Sequence, residues 1–82
     1  MIFLEIISPD QSMKEFEEKA QDYLAAGVPR VWVIDPELIL IRSFFADGSS
    51  QVYTDSMLIV DELLPGLELT NRQIFEEAQL ID

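Results

Sequence analysis

The 82-residue chain contains no cysteine and no histidine. The first absence excludes disulfides and thiol nucleophiles, the second imidazole bases, and the two together the usual zinc ligands. Chemistry must therefore come from carboxylates, amines, hydroxyls or a hard, oxygen-seeking metal. Positive charge is also scarce, with five Lys and Arg against 16 Asp and Glu, a net charge of −11. Nonspecific nucleic-acid affinity comes chiefly from Lys and Arg displacing counterions, so these residues alone are poorly equipped to grip a phosphate backbone. Local charge can still differ from the net: Lys14 and Lys19 share one predicted helix, and Arg30 and Arg42 lie near predicted strand ends. No apolar run approaches the roughly 18 residues of a membrane span. Met1 opens onto Ile2-Phe3-Leu4-Glu5 without a basic lead, so no signal peptide, no membrane partner and a cytoplasmic location are expected.

What is present describes a folded domain. Hydrophobic residues make up 49% of the chain and charged ones 26%, a balance that supports a core rather than disorder. That core is thin, because a chain of this size buries only about 60% of the surface it exposes when unfolded. Ile2 to Ile7 is an apolar run interrupted only by Glu5, which reads as a strand covered on both faces. Ser8-Pro9-Asp10-Gln11 and Ser12-Met13-Lys14-Glu15 both fit a capping box, and the later start is preferred. From there Met13, Phe16, Ala20, Tyr23, Leu24 and Gly27 recur every three or four residues and form one face of an amphipathic helix, from about Ser12 to Ala26. Gly27 suits the left-handed position that ends it, and Pro29 prevents its resumption.

Val31 to Ile34 is a second apolar strand, and strand-helix-strand at these lengths implies a parallel crossover. Glu5 and Asp35 then fall toward the same end of the sheet, the end where open α/β folds gather their chemistry. Asp35-Pro36-Glu37 reads as a turn into a strand from Leu38 to Phe45, and Asp47-Gly48 as the hairpin leading to Gln51 to Thr54. Met57 to Val60 is a candidate short strand. Thr70 to Gln73 should cap a terminal helix that buries Ile74, Phe75 and Ala78.

The series Glu5-Ile6-Ile7-Ser8-Pro9, Lys19 with Tyr23 four residues on, Tyr23 to Val28, Trp32-Val33-Ile34-Asp35-Pro36 and Asp61 to Leu67 resembles the bacterial Uma-type putative restriction endonuclease family, once catalogued as a domain of unknown function. The resemblance runs through nearly the whole chain and corresponds to the C-terminal part of the family fold. It implies a PD-(D/E)xK architecture: an α/β (α+β) restriction-endonuclease-like mixed sheet with a parallel strand-helix-strand crossover, an antiparallel hairpin and a C-terminal helix. Residues 1–82 would form a single truncated domain of that kind. The implied activity is metal-dependent hydrolysis of DNA with Mg²⁺ or Mn²⁺. Glu5 would be the acidic metal ligand and Lys19 the catalytic lysine, replacing the lysine that the superfamily pattern puts at the position of Ile7. Ser8 and Asp35 would be accessory. The family's first acid, in a Pro-Asp element on an earlier strand, has no counterpart before Glu5. Inactivity of these residues alone is therefore expected, with a catalytically incomplete binding or assembly module as the alternative.

Each assignment has a plainer competitor. Glu5 could be an edge-facing acid or a partner of Arg30. Lys19 has Glu15 four residues earlier, the favourable order for a surface ion pair. Asp35 before Pro36 is a good turn former, Ser8 a good cap, and Trp32 and Tyr23 are simplest as core. Strands missing ahead of Glu5 should leave an unpaired edge or uncovered apolar face beside Ile2 to Ile7, and a homo-oligomer, most simply a dimer, is expected to form through it or through the hairpin.

Overall fold

The computed structural model describes residues 2–79. Six elements follow in order: β1 (Phe3–Ile6), α1 (Met13–Ala25), β2 (Arg30–Asp35), β3 (Leu40–Phe45), β4 (Ser50–Thr54) and α2 (Asn71–Glu77). The strands form one sheet in the order β1-β2-β3-β4. The pair β1/β2 is parallel, with Glu5 opposite Val33 and Ile6 opposite Ile34, and the other pairs are antiparallel. The crossover expected from the sequence is thus present, on a mixed sheet.

Helix α1 begins where the later capping box places it: Ser12 is the N-cap, and its side-chain oxygen accepts from the Glu15 N–H at 3.4 Å. Ser8 and Gln11 close a separate turn, in which the Ser8 N–H donates to Gln11 Oε1 and the Gln11 N–H to the Ser8 carbonyl. At the far end Gly27 adopts φ +103°, while the Val28 N–H reaches the Tyr23 carbonyl and the Gly27 N–H that of Leu24. This is the Schellman arrangement, which satisfies carbonyls that a helix end would otherwise leave bare.

Two apolar layers sandwich the sheet. Phe16 and Ala20 of α1 pack with Ile7, Val31, Val33 and Phe44 on one face, with Phe3, Tyr23 and Leu24 at the margin. On the other face the chain after β4 lays Ile59 and Phe75 onto Trp32, Ile34, Ile41 and Tyr53. Full burial of a side chain such as Phe75 contributes about 1.5–3 kcal/mol. A buried ion pair, Arg30 Nε to Asp61 Oδ2 at 3.1 Å, ties this layer to the first residue of β2. Asn71 adds a second tie, donating from Nδ2 to the Ile39 carbonyl at 2.7 Å.

The structure corrects four local expectations. The first strand is covered on one face only: Leu4 and Ile6 are 55% and 51% exposed, because the C-terminal layer stops short of this edge. Residues 36–39 form the turn, Ile39 is left-handed at φ +51°, and β3 begins at Leu40 rather than Leu38. Met57 to Val60 makes no strand, only a single bridge from Leu58 to Thr70. The Thr70 capping box is present, but α2 buries Asn71 and Phe75 while Ile74 is half-buried and Ala78 exposed. A helix this short ends before Ala78 can turn back onto the sheet.

Candidate functional site

Alternation along β1 puts Phe3, Glu5 and Ile7 on the face shared with α1, so Glu5 is half-buried at the margin of that layer. Its neighbour there is Tyr23, whose hydroxyl donates to Glu5 Oε1 at 3.1 Å. The Phe3 ring stacks on Tyr23 with centroids 4.3 Å apart, which fixes the phenol from its other side. The phenol is held above its ordinary value of 10.0, first by the hydrogen bond to Glu5, then by partial burial and by repulsion from the Glu5 charge. One Glu5 oxygen is therefore already engaged.

Lys19 stands one turn before Tyr23 on the same flank of α1, exposed, with Nζ 5.2 Å from the centre of the Phe16 ring. Among the described residues it forms no ion pair, with Glu15 or with Glu5. Arg30 does not meet Glu5 either. It points to the opposite face, where it pairs with Asp61, lies 3.6 Å from Glu62 and covers the Phe45 ring at 4.4 Å. Phe45 and Arg30 also line a hollow of about 450 Å³ with Pro29, Asp47 and Leu63, at the other end of β2 from the candidate residues.

Ser8, just past the end of β1, and Asp35, the last residue of β2, come together at the C-terminal ends of these strands. They line a cleft of about 220 Å³ with Ile7, Pro9, Gln11, Pro36 and Glu37; neither Glu5 nor Lys19 is in its wall. Asp35 Oδ1 accepts from the N–H groups of Glu37 at 3.1 Å and Leu38 at 3.3 Å, the bonding of a turn former. Ser8 and Asp35 thus share the cleft at the strand ends, while Glu5 is held by Tyr23 and Lys19, one turn earlier on α1, touches the ring of Phe16 on its own helix and makes no ion pair with Glu5 among the described residues. Tyr23, read from the sequence as core, is the residue that reading missed. The signal lay in its spacing, because a residue four positions after Lys19 shares its flank of the helix.

The donor set bears on the metal implied by the resemblance. Magnesium and manganese ions want several oxygen donors in near-octahedral order. Among the described residues no group of three or more Asp, Glu, His or Cys stands close enough together to hold one. Glu5 is a single carboxylate with Oε1 occupied by Tyr23. The residues present do not fit such an ion.

Comparison with known proteins gives two likenesses. Residues 2–72 match the family model Uma2, described as "putative restriction endonuclease". A crystal structure of a putative nuclease belonging to DUF820 from Anabaena variabilis ATCC 29413 superposes with a TM-score of 0.79 at 24% identity, over 98% of this chain and 45% of that one. At that identity the likeness concerns the fold, and this chain spans less than half the length of that protein. No curated protein matches. Among the described residues no helix is long and apolar enough to cross a membrane.

Proposed function

This chain belongs to the Uma2 family of putative restriction endonucleases, and on that footing we propose that its residues carry one part of a DNA-hydrolysing site and do not cut DNA by themselves. Glu5 is the carboxylate of that part and Lys19 its cation. Glu5 lies on a parallel strand beside the helix that follows it, with Tyr23 fixing Oε1 and leaving Oε2 for another partner. Lys19, unpaired among the described residues and carried on a long flexible stem, is free to meet a phosphate oxygen. Ser8 and Asp35 stay accessory: their cleft adjoins the strand ends, but Asp35 is spent on its turn.

The observation that carries this reading is the lone carboxylate. Splitting a phosphodiester requires an activated water and neutralised charge on the phosphate, work shared in metal-dependent nucleases among several oxygen ligands. One half-engaged Glu in a chain of net charge −11 supplies neither the ligands nor the field. Further acids from outside these residues would be needed, and a binding or assembly role is the reading that stands without them.

Incubation with supercoiled plasmid and Mn²⁺ tests the proposal. The expected result is no nicking above the level of the Glu5→Gln and Lys19→Ala variants. Cleavage by the unmodified chain that either variant abolishes would overturn it.

A further inference from the structure

We propose that Phe3 and Tyr23 are positioning residues for Glu5: the Phe3 ring aims the Tyr23 hydroxyl, and the hydroxyl selects the rotamer in which Glu5 presents its carboxylate. The use of that order rests on Glu5 being the carboxylate of the site, whereas the order itself rests on contacts.

Alternation along β1 builds the grip. Phe3 and Glu5 lie two residues apart on the strand and so on one face, the face shared with α1. One side chain of α1 meets both. The Tyr23 ring stacks on Phe3 with centroids 4.3 Å apart and planes 29° apart, and its hydroxyl donates to Glu5 Oε1 at 3.1 Å. Tyr23 stands within the regular span of α1 and packs at the margin of the apolar layer that holds Phe16, Ala20 and Val31. With the helix backbone fixed, the layer and the stack restrict the few torsions a tyrosine retains. The hydroxyl therefore has a set place, although it lies 18 residues along the chain from the acid it meets.

Glu5 has no such support of its own. A glutamate is longer and turns about more torsions, and at the half-buried margin of the sheet its staggered rotamers compete. Among the described residues Tyr23 is the one side chain hydrogen-bonded to Glu5, since Arg30 points to the opposite face and Lys19 forms no ion pair with it. An ionised carboxylate only accepts, so the neutral phenol is the donor in this bond. Packing does not ask for the hydroxyl, because a phenylalanine at the same position would keep the ring and its stack. What the oxygen adds is a direction for Glu5. Direction matters to a carboxylate that serves a reaction, where misplacement by about 1 Å can cost about a hundredfold in rate.

Three-bond couplings along the Glu5 side chain, read by NMR on the isotope-labelled chain, test the assignment. The parent should show one dominant rotamer. Tyr23→Phe should keep the circular dichroism spectrum and give couplings averaged over several rotamers, and Phe3→Leu, which leaves both hydrogen-bonding groups in place, should average them in part. Adding Phe3→Leu to Tyr23→Phe should change Glu5 no further, because Phe3 acts through the hydroxyl; two independent packing roles would add instead. Couplings already averaged in the parent, or left unchanged by either single variant, would overturn the proposal, as would additive effects in the double variant. Should Tyr23→Phe fail to fold, Phe3→Leu decides alone. Plasmid nicking that Glu5→Gln leaves untouched would instead discard the nuclease reading and leave these couplings as they are.

Discussion

Asp61→Asn should be among the most damaging single changes in this protein. The Arg30 and Asp61 side chains are 4% and 2% exposed, and Arg30 Nε lies 3.1 Å from Asp61 Oδ2. The other carboxylate oxygen accepts from the Leu63 N–H at 2.8 Å, so Asp61 also shapes the turn that lays the C-terminal layer on the sheet. Replacing it by an amide keeps the shape and leaves a buried guanidinium without its counter-charge, which costs about 3–5 kcal/mol. Glu62 at 3.6 Å can make good only part of this, because its side chain is 87% exposed and its attraction is screened. A net loss of about 3 kcal/mol is expected, against a total of roughly 4–12 kcal/mol for a domain of this size. The corresponding fall in Tm is about 12–24 °C. Urea unfolding followed by circular dichroism measures it at constant protein concentration. The double change Arg30→Met with Asp61→Leu should recover most of the loss, since a buried pair replaced by apolar groups is often neutral. A loss below about 1 kcal/mol for Asp61→Asn, or a double variant no better than the single, would refute the view that the pair pins this layer.

Three further outcomes are expected. The Tyr23 phenol, raised chiefly by the bond it donates to Glu5, is favoured by the fold in its neutral form, so that stabilisation holds at neutral pH and is lost as pH rises through the raised value; Glu5→Gln should move its NMR titration back toward 10.0, and an unmoved curve would count against the contact. Asp47 is held below its ordinary value of 3.8, mainly by the hydrogen bond from the Ser49 hydroxyl, so its contribution is present above that pH and fades as pH falls through the lowered value. Asp47→Asn should flatten the acid limb of stability, and superimposable acid unfolding curves would disprove it. Gly27→Ala meets no atom within 4 Å, so its expected cost of about 1–2 kcal/mol is purely that of a left-handed backbone; a neutral result by thermal unfolding would show that the helix end relaxes.

The sequence was sufficient for α1, because its three-to-four spacing, the Ser12 cap and the Gly27 stop all act within a few residues of one another. It was sufficient for the parallel pairing of β1 and β2 as well, since two short apolar strands joined by one helix leave little topological freedom. The hairpin at Asp47-Gly48 was legible for the same reason: the turn chemistry is local. The region from Met57 to Val60 was not, because an apolar run of that length has no preference until a partner strand is offered, and here only the Leu58–Thr70 bridge forms.

Side-chain partners divide along the same line. The sequence alone determined that chemistry here must rest on carboxylates and amines, that Glu5 interrupts an apolar strand, and that Glu5 and Asp35 fall toward one end of the sheet. Only the tertiary structure decided that Glu5 is held by Tyr23, 18 residues away, and that Arg30 pairs with Asp61, 31 residues away, on the opposite face. It also decided that Leu4 and Ile6 lie bare while Trp32 and Ile34 beside them are covered. Periodicity tells which residues share a face. What lies across from that face depends on how far the C-terminal layer reaches over the sheet, a distance set by packing at Phe75, Ile59 and the Arg30–Asp61 pair rather than by any local pattern.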